Sequence, residues 1–169
     1  MRYNLLCFVA LATATLADDY VLTTLNNIRQ VNGDVSQGIT DWDGSYTGAM
    51  AVISQCRGVV KIATALFPPR EPTPPTDEIL QKRMESAQSL ATEHSACIVS
   101  TIAAKAKVEA IYTLKTGFVI PTIRSMRYAF SVFGKAFIAR TPAEQQDKVQ
   151  AIFDQIDSEF DRAYIAYQS

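Results

Sequence analysis

Residues 118–167 carry two consecutive apolar stripes, both rich in aromatic rings. In the first, Val119, Ile123, Met126, Phe130, Phe133 and Phe137 recur at alternating steps of four and three. That spacing is one face of an α-helix. After a break at residues 140–144, Val149, Ile152, Phe153, Ile156, Phe160, Ala163, Tyr164 and Tyr167 repeat the rhythm. Thr141 is placed to cap the second helix, Pro142 suits its first position, and Glu144 completes a capping box. At about 25 cal/mol per Å² of apolar area, burying Phe130, Phe133, Phe137, Phe153 and Phe160 supplies roughly 10 kcal/mol or more. The stripes must therefore face other helices, a lipid-like ligand, or both.

The rest of the chain follows the same pattern. Asp18 or Asp19 is placed to cap a first helix with Val21, Leu25, Ile28, Val35, Ile39 and Trp42 inward. Gly33 and Gly38 inside it each cost about 1 kcal/mol relative to Ala, so a kink is expected there. Gly44 reads as the stop. A second helix is expected over 49–67, with Ile53, Cys56, Val59, Val60, Ala63 and Leu66 inward. The prolines between positions 68 and 75 end it, because proline has no N–H to donate and fixes φ. Such a tract prefers extended polyproline geometry, and a stiff connection is its plainest use. Thr76, followed by Asp77 and Glu78, opens a third helical region that can run to about residue 115, with Gly117 as its stop. Leu80, Met84, Leu90, Cys97, Ile98, Ile102, Val108 and Ile111 form its apolar side, and residues 92–95 allow an interruption. No β-alternation competes. The expected fold is all-α, a single antiparallel bundle of about five amphipathic helices.

Residues 1–17 are expected to be a secretory signal peptide, leaving 18–169 as one domain. Arg2 gives a positive start, about ten apolar or small residues follow, and residues 15–17 form a small-residue cleavage site. Ten residues are too few to span a membrane, and no other long apolar run occurs. A secreted, soluble, extracellular protein is expected, with no tail-type lipid anchor. Formal net charge is −1 with the signal included, which offers nothing to nucleic acid. In an oxidising compartment, Cys56 and Cys97 suit one disulfide, against the alternative of two buried thiols.

Chemistry finds little to stand on. The chain has one histidine, His94, and no accompanying nucleophile and base. Residues 41–44 superficially suggest a calcium loop but lack the remaining ligands. No metal cluster spacing, phosphate loop or cofactor motif occurs. The carboxylates of the last helix, including Asp154, Asp157 and Asp161, fall mainly on its outer faces and read as solvated. No catalytic residue is assigned, and a non-enzymatic protein is expected.

Several stretches together resemble a known family. They are the first helix from Val21 to Ile28 leading to Trp42-Asp43-Gly44, residues 102–107, the Thr116-Gly117 break, and the ending from Phe160 to Tyr167. The chain resembles the fungal hydrophobic surface-binding protein A and cell-wall galactomannoproteins. Cys56, Cys97 and the proline tract depart from that family's pattern. The resemblance implies a secreted helical protein, wall-associated in some relatives, that holds a fatty acid between helices. It equally implies a surface-active protein that adsorbs to hydrophobic surfaces and recruits a lipolytic enzyme. A secreted effector acting on a host protein is a third reading. For the carrier, the candidate cavity residues are Leu25, Ile28, Ile53, Val60, Ile98, Ile102, Ile123, Phe130, Phe133, Phe153 and Phe160. His94 falls near the inner stripe, where it is either a cavity contact or a hydrogen-bonded core residue.

Overall fold

A computed structural model describes residues 19–65 and 74–168. The expected signal peptide and most of the proline tract lie outside them. The described elements are α1 (Tyr20–Asp41), α2 (Tyr46–Ala63), α3 (Asp77–Ala103), a short α4 (Lys105–Glu109), a π-helical turn (Lys115–Val119), α5 (Ile120–Ile138) and α6 (Ala143–Gln168).

Cross-helix bonds fix the directions. Asp19 pairs with Arg83, Arg29 with Glu93, and the Trp42 carbonyl with Lys107, so α1 and α3 run side by side in the same sense. Ser95 meets Glu159, and the Tyr167 hydroxyl donates to the Thr101 carbonyl, so α6 runs with α3. Arg127 reaches both Asp157 and Asp161, while Arg124 reaches Tyr164, so α5 runs against α6. Gly38 lies against Val52 and Gln55, and Gly58 against Val31, so α2 runs against α1, and the long helices alternate up, down, up, down, up along the chain. They close a ring in the spatial order α1, α2, α5, α6, α3. Five helices packed at the usual 8–10 Å put each axis roughly 7–8.5 Å from the ring centre. A helix with its side chains has a radius of only about 5–6 Å. An axial space therefore exists, and the inner residues decide whether it is filled.

Local sequence explains most of the ends. Asp19 accepts from Leu22 N at 2.7 Å, Ser45 from Gly48 N at 3.1 Å, and Thr76 from Ile79 N at 3.3 Å. Gly44 adopts φ +89°, which turns the chain from α1 into α2. Several expectations are corrected. α1 does not break at Gly33 or Gly38, because tertiary packing along its length outweighs two glycine penalties. α2 begins at Tyr46, three residues early, where Ser45 caps it. Thr141 does not form the expected capping box; its hydroxyl donates back to the Phe137 carbonyl at 3.0 Å.

The third helical region is also not one piece. It ends at Ala103, restarts as α4, and turns over residues 110–114, where Thr113 has φ +71°. A straight helix from 77 to 115 would be about 58 Å long, well past its neighbours. The bend folds Val108 and Leu114 back over the ring, where both are buried. Gly117 is no stop but part of the π-helical turn that leads into α5. Ile120 N–H bonds the Lys115 carbonyl there, and Pro121 follows with no N–H to continue the ladder.

Where α5 meets α6, a Cβ on Gly134 would lie 2.8 Å from the Phe153 ring. Gly134→Ala is expected to destabilise the fold by about 1–3 kcal/mol through overpacking, read as a lower urea midpoint.

Candidate functional site

The axial space is filled in its lower half and hollow in its upper half. Below, rings close it. Phe133 stacks on Phe137 at 6.2 Å with 7° between planes, and both lie 5.9 Å from Phe153. Phe130 packs edge-on against Phe160 at 5.4 Å. Above, α2, α3 and the α3–α4 junction present small residues inward (Ala49, Cys56, Cys97 and Ala104), and a cavity of about 80 Å³ remains. At roughly 10–15 Å³ for each water-sized site, this is room for about five to eight.

α1 and its C-cap contribute Val35, Ile39 and Trp42 to the wall, α2 adds Val52 and Ile53, and α3 adds His94, Ile98 and Thr101. Val108 and Leu114 roof it, Val119, Thr122, Ile123 and Met126 close the α5 side, and Phe160 and Tyr167 come from α6. No lining residue carries a formal charge at neutral pH. Ile39, Val52, Val119 and Thr122 are half-buried, so the cavity meets solvent near them.

Thr101, Tyr167 and Trp42 of the wall donate to backbone carbonyls, whereas His94 keeps one ring nitrogen unpartnered among the described residues. It is fully buried and sits at the floor, its ring 4.3 Å from Phe160 and 5.1 Å from Phe130. Nδ1 lies 3.5 Å from Oδ1 of Asn32, itself fully buried, and Nε2 has no hydrogen-bond partner among the described residues. Burial pushes the imidazole down to about 3, so it is neutral at ordinary pH.

The expected wall residues divide. Ile53, Ile98, Ile123 and Phe160 line the cavity. Leu25 and Ile28 are buried toward the opposite end of α1, and Phe130, Phe133 and Phe153 belong to the aromatic half below. Val60 and Ile102 pack half-buried against the core, outside the cavity wall. The large aromatic side chains fill space, and it is the small residues opposite them that leave it open. Those small inner positions were the available signal, and stripe-reading passed over them in favour of bulk.

The disulfide expected between Cys56 and Cys97 is not formed: both are free, buried thiols. The two cysteines line the same cavity from α2 and α3, near enough for Cys97 to add to the effect of burial on Cys56. Burial pushes Cys56 up to about 12 and Cys97 up to about 11, leaving both as protonated apolar lining. Of the carboxylates read as solvated, Asp157 and Asp161 share Arg127, which holds Asp157 below the usual carboxylate range. Among the described residues, no group of three or more His, Cys, Asp or Glu could hold a metal, and no helix is long and apolar enough to cross a membrane.

No family model and no curated protein matches the chain. Solved structures do. The crystal structure of AFMP4P in complex with palmitic acid matches with TM-score 0.72 at 14% identity, over 87% of this chain and 97% of that one. Ligand binding domain 1 of the Penicillium marneffei MP1 protein, complexed with arachidonic acids, matches with TM-score 0.68 at 13% identity, over 88% and 97%. Domain 2 of the same protein, also with arachidonic acids, gives 0.69 at 14% identity, over 92% and 96%. The chain shares the helical-bundle fold of these proteins over nearly its whole described length.

Proposed function

We propose that this protein is a non-enzymatic carrier that holds a fatty acid, or a lipid of similar shape, along the axis of its five-helix ring. The observation that carries the reading is the uncharged, largely apolar upper cavity on the ring axis. The groove of about 260 Å³ between α5 and α6 in the lower half is instead edged by Arg127, Lys135, Asp154 and Asp157. Pockets for apolar ligands have the composition of the upper cavity, with few polar groups to orient the guest. Proteins of the same fold crystallised with palmitic and arachidonic acids support it. The cavity accepts part of an acyl chain as it stands. A full chain needs room near Val119 and Thr122, beside the π-helical turn, a kind of irregularity often found at functional sites. Secretion, and membership of the hydrophobic surface-binding protein A and galactomannoprotein family, belong to the same proposal.

Trp42 lines the cavity, so its fluorescence should report titration with palmitate and saturate near one lipid per protein. Ile98→Phe, which places a ring in the cavity, should weaken uptake at least about tenfold while leaving the melting temperature unchanged or higher, because filling a void restores contacts. Uptake by Ile98→Phe equal to that of the unmodified protein would remove the cavity from the mechanism. Binding that grows with available surface and never saturates would identify an adsorbing protein instead.

A further inference from the structure

The cavity wall contains a polar atom that packing does not require. His94 packs its ring against Phe130 and Phe160, contacts that use none of its polar atoms. With Asn32 Oδ1 turned toward the ring, an acceptor faces Nδ1, which places the imidazole proton there; Asn32 Nδ2, like His94 Nε2, has no partner among the described residues. That leaves Nε2 an acceptor with no partner among the described residues, on a ring that lines the cavity. Nε2 itself is closed to a water-sized atom, so a donor reaches it only by displacing the side chains packed over it. Buried acceptors of this kind are rare in native proteins unless something donates to them.

Resting on the carrier reading, we propose that His94 Nε2 anchors the polar end of the bound lipid by accepting a hydrogen bond from an O–H group. The guest chemistry is an apolar chain ending in a hydroxyl, either a long-chain alcohol or an undissociated fatty acid. A carboxylate is excluded from the floor because it would be desolvated with no cation to meet it. The other titratable groups in the cavity are Cys56 from α2, Cys97 from α3 and Tyr167 from α6, all uncharged at neutral pH. The neighbouring charges point away: Glu93 to Arg29, and Glu159 to Ser95 and Arg162. The imidazole is itself neutral over the working pH range. Asn32 is a positioning residue in this arrangement, fixing the tautomer from the second ring nitrogen.

The test compares hexadecanol with hexadecyl methyl ether, which has the same chain and no donor. The unmodified protein should bind the alcohol about tenfold more tightly, the size of one net hydrogen bond. His94→Phe should bind both and lose the preference. Alcohol affinity should stay flat between pH 8 and 5, whereas palmitic acid should bind more tightly as pH falls and its neutral form accumulates. A second measurement needs no variant. With only one histidine in the chain, imidazole ¹⁵N spectra are unambiguous. Nε2 should be unprotonated in the free protein, and its resonance should move with hexadecanol and not with the ether. Equal affinity for alcohol and ether, a preference that survives in His94→Phe, a proton on Nε2 in the free protein, or an unmoved resonance would each overturn the assignment. Failure of all three lipids to bind would instead overturn the carrier reading itself.

Discussion

Phe133→Ala should cost about 3–5 kcal/mol of stability and leave lipid uptake nearly intact. Phe133 is fully buried and touches Phe137 and Phe153 in the packed half of the ring. Removing its ring loses the transfer free energy of the side chain and leaves a void that stacked neighbours fill only partly. Each lost ring pair adds about 0.5–1.5 kcal/mol. The urea midpoint should fall with little change in slope, since the surface exposed on unfolding hardly changes. The hollow half lies on the other side of the layer formed by His94, Phe130 and Phe160. Lipid titrations below the lowered midpoint should therefore still saturate near one per protein. This is the mirror image of Ile98→Phe, which removes uptake and spares stability. Loss of uptake in both variants would mean that the two halves form one continuous site and that the floor is not where His94 sits.

That division was only half legible in the sequence. The stripes of α5 and α6 gave their facing correctly, since every member from Ile123 to Phe137 and from Val149 to Phe160 that was placed inward is buried. Caps at Asp19 and Thr76 were readable because a short polar side chain before an apolar run has one main use. The same stripes could not say where the ring is hollow. Phe133 and Ile98 have the same helical phase signature, and only the size of the residues opposite them separates filled from open. For the same reason the proposed wall leaned toward the phenylalanines and passed over Ala49, Cys97 and Ala104. The bend after Ala103 was invisible because no proline or glycine marks it. Leu114 and Val108 turn inward for tertiary reasons. The cysteines invited a disulfide by compartment, but their positions in the ring make them lining.

The unmodified protein should lose stability on mild acidification, and His94 should account for most of it. Burial holds the folded imidazole at about 3, against 6.5 in the unfolded chain. Between those values the unfolded state binds the extra proton, so the sign is fixed: stability rises with pH in this window and falls as pH drops from 6.5 towards 3. At about 1.4 kcal/mol per unit, going from pH 6.5 to 4.5 should cost about 2–3 kcal/mol. Depressed carboxylates such as Asp157 act in a lower range, losing their contribution only as pH falls below the ordinary carboxylate value of 3.8. They are also common to any variant at position 94. His94→Gln keeps a polar group and removes the titration, so the comparison isolates one proton. The stability difference between the two proteins, from urea unfolding at pH 7 and pH 4.5, should shift by about 2–3 kcal/mol in favour of the glutamine variant at the lower pH. A difference independent of pH would mean that the imidazole is already solvated. It could then offer no bare acceptor to a ligand, because water would hold that place first.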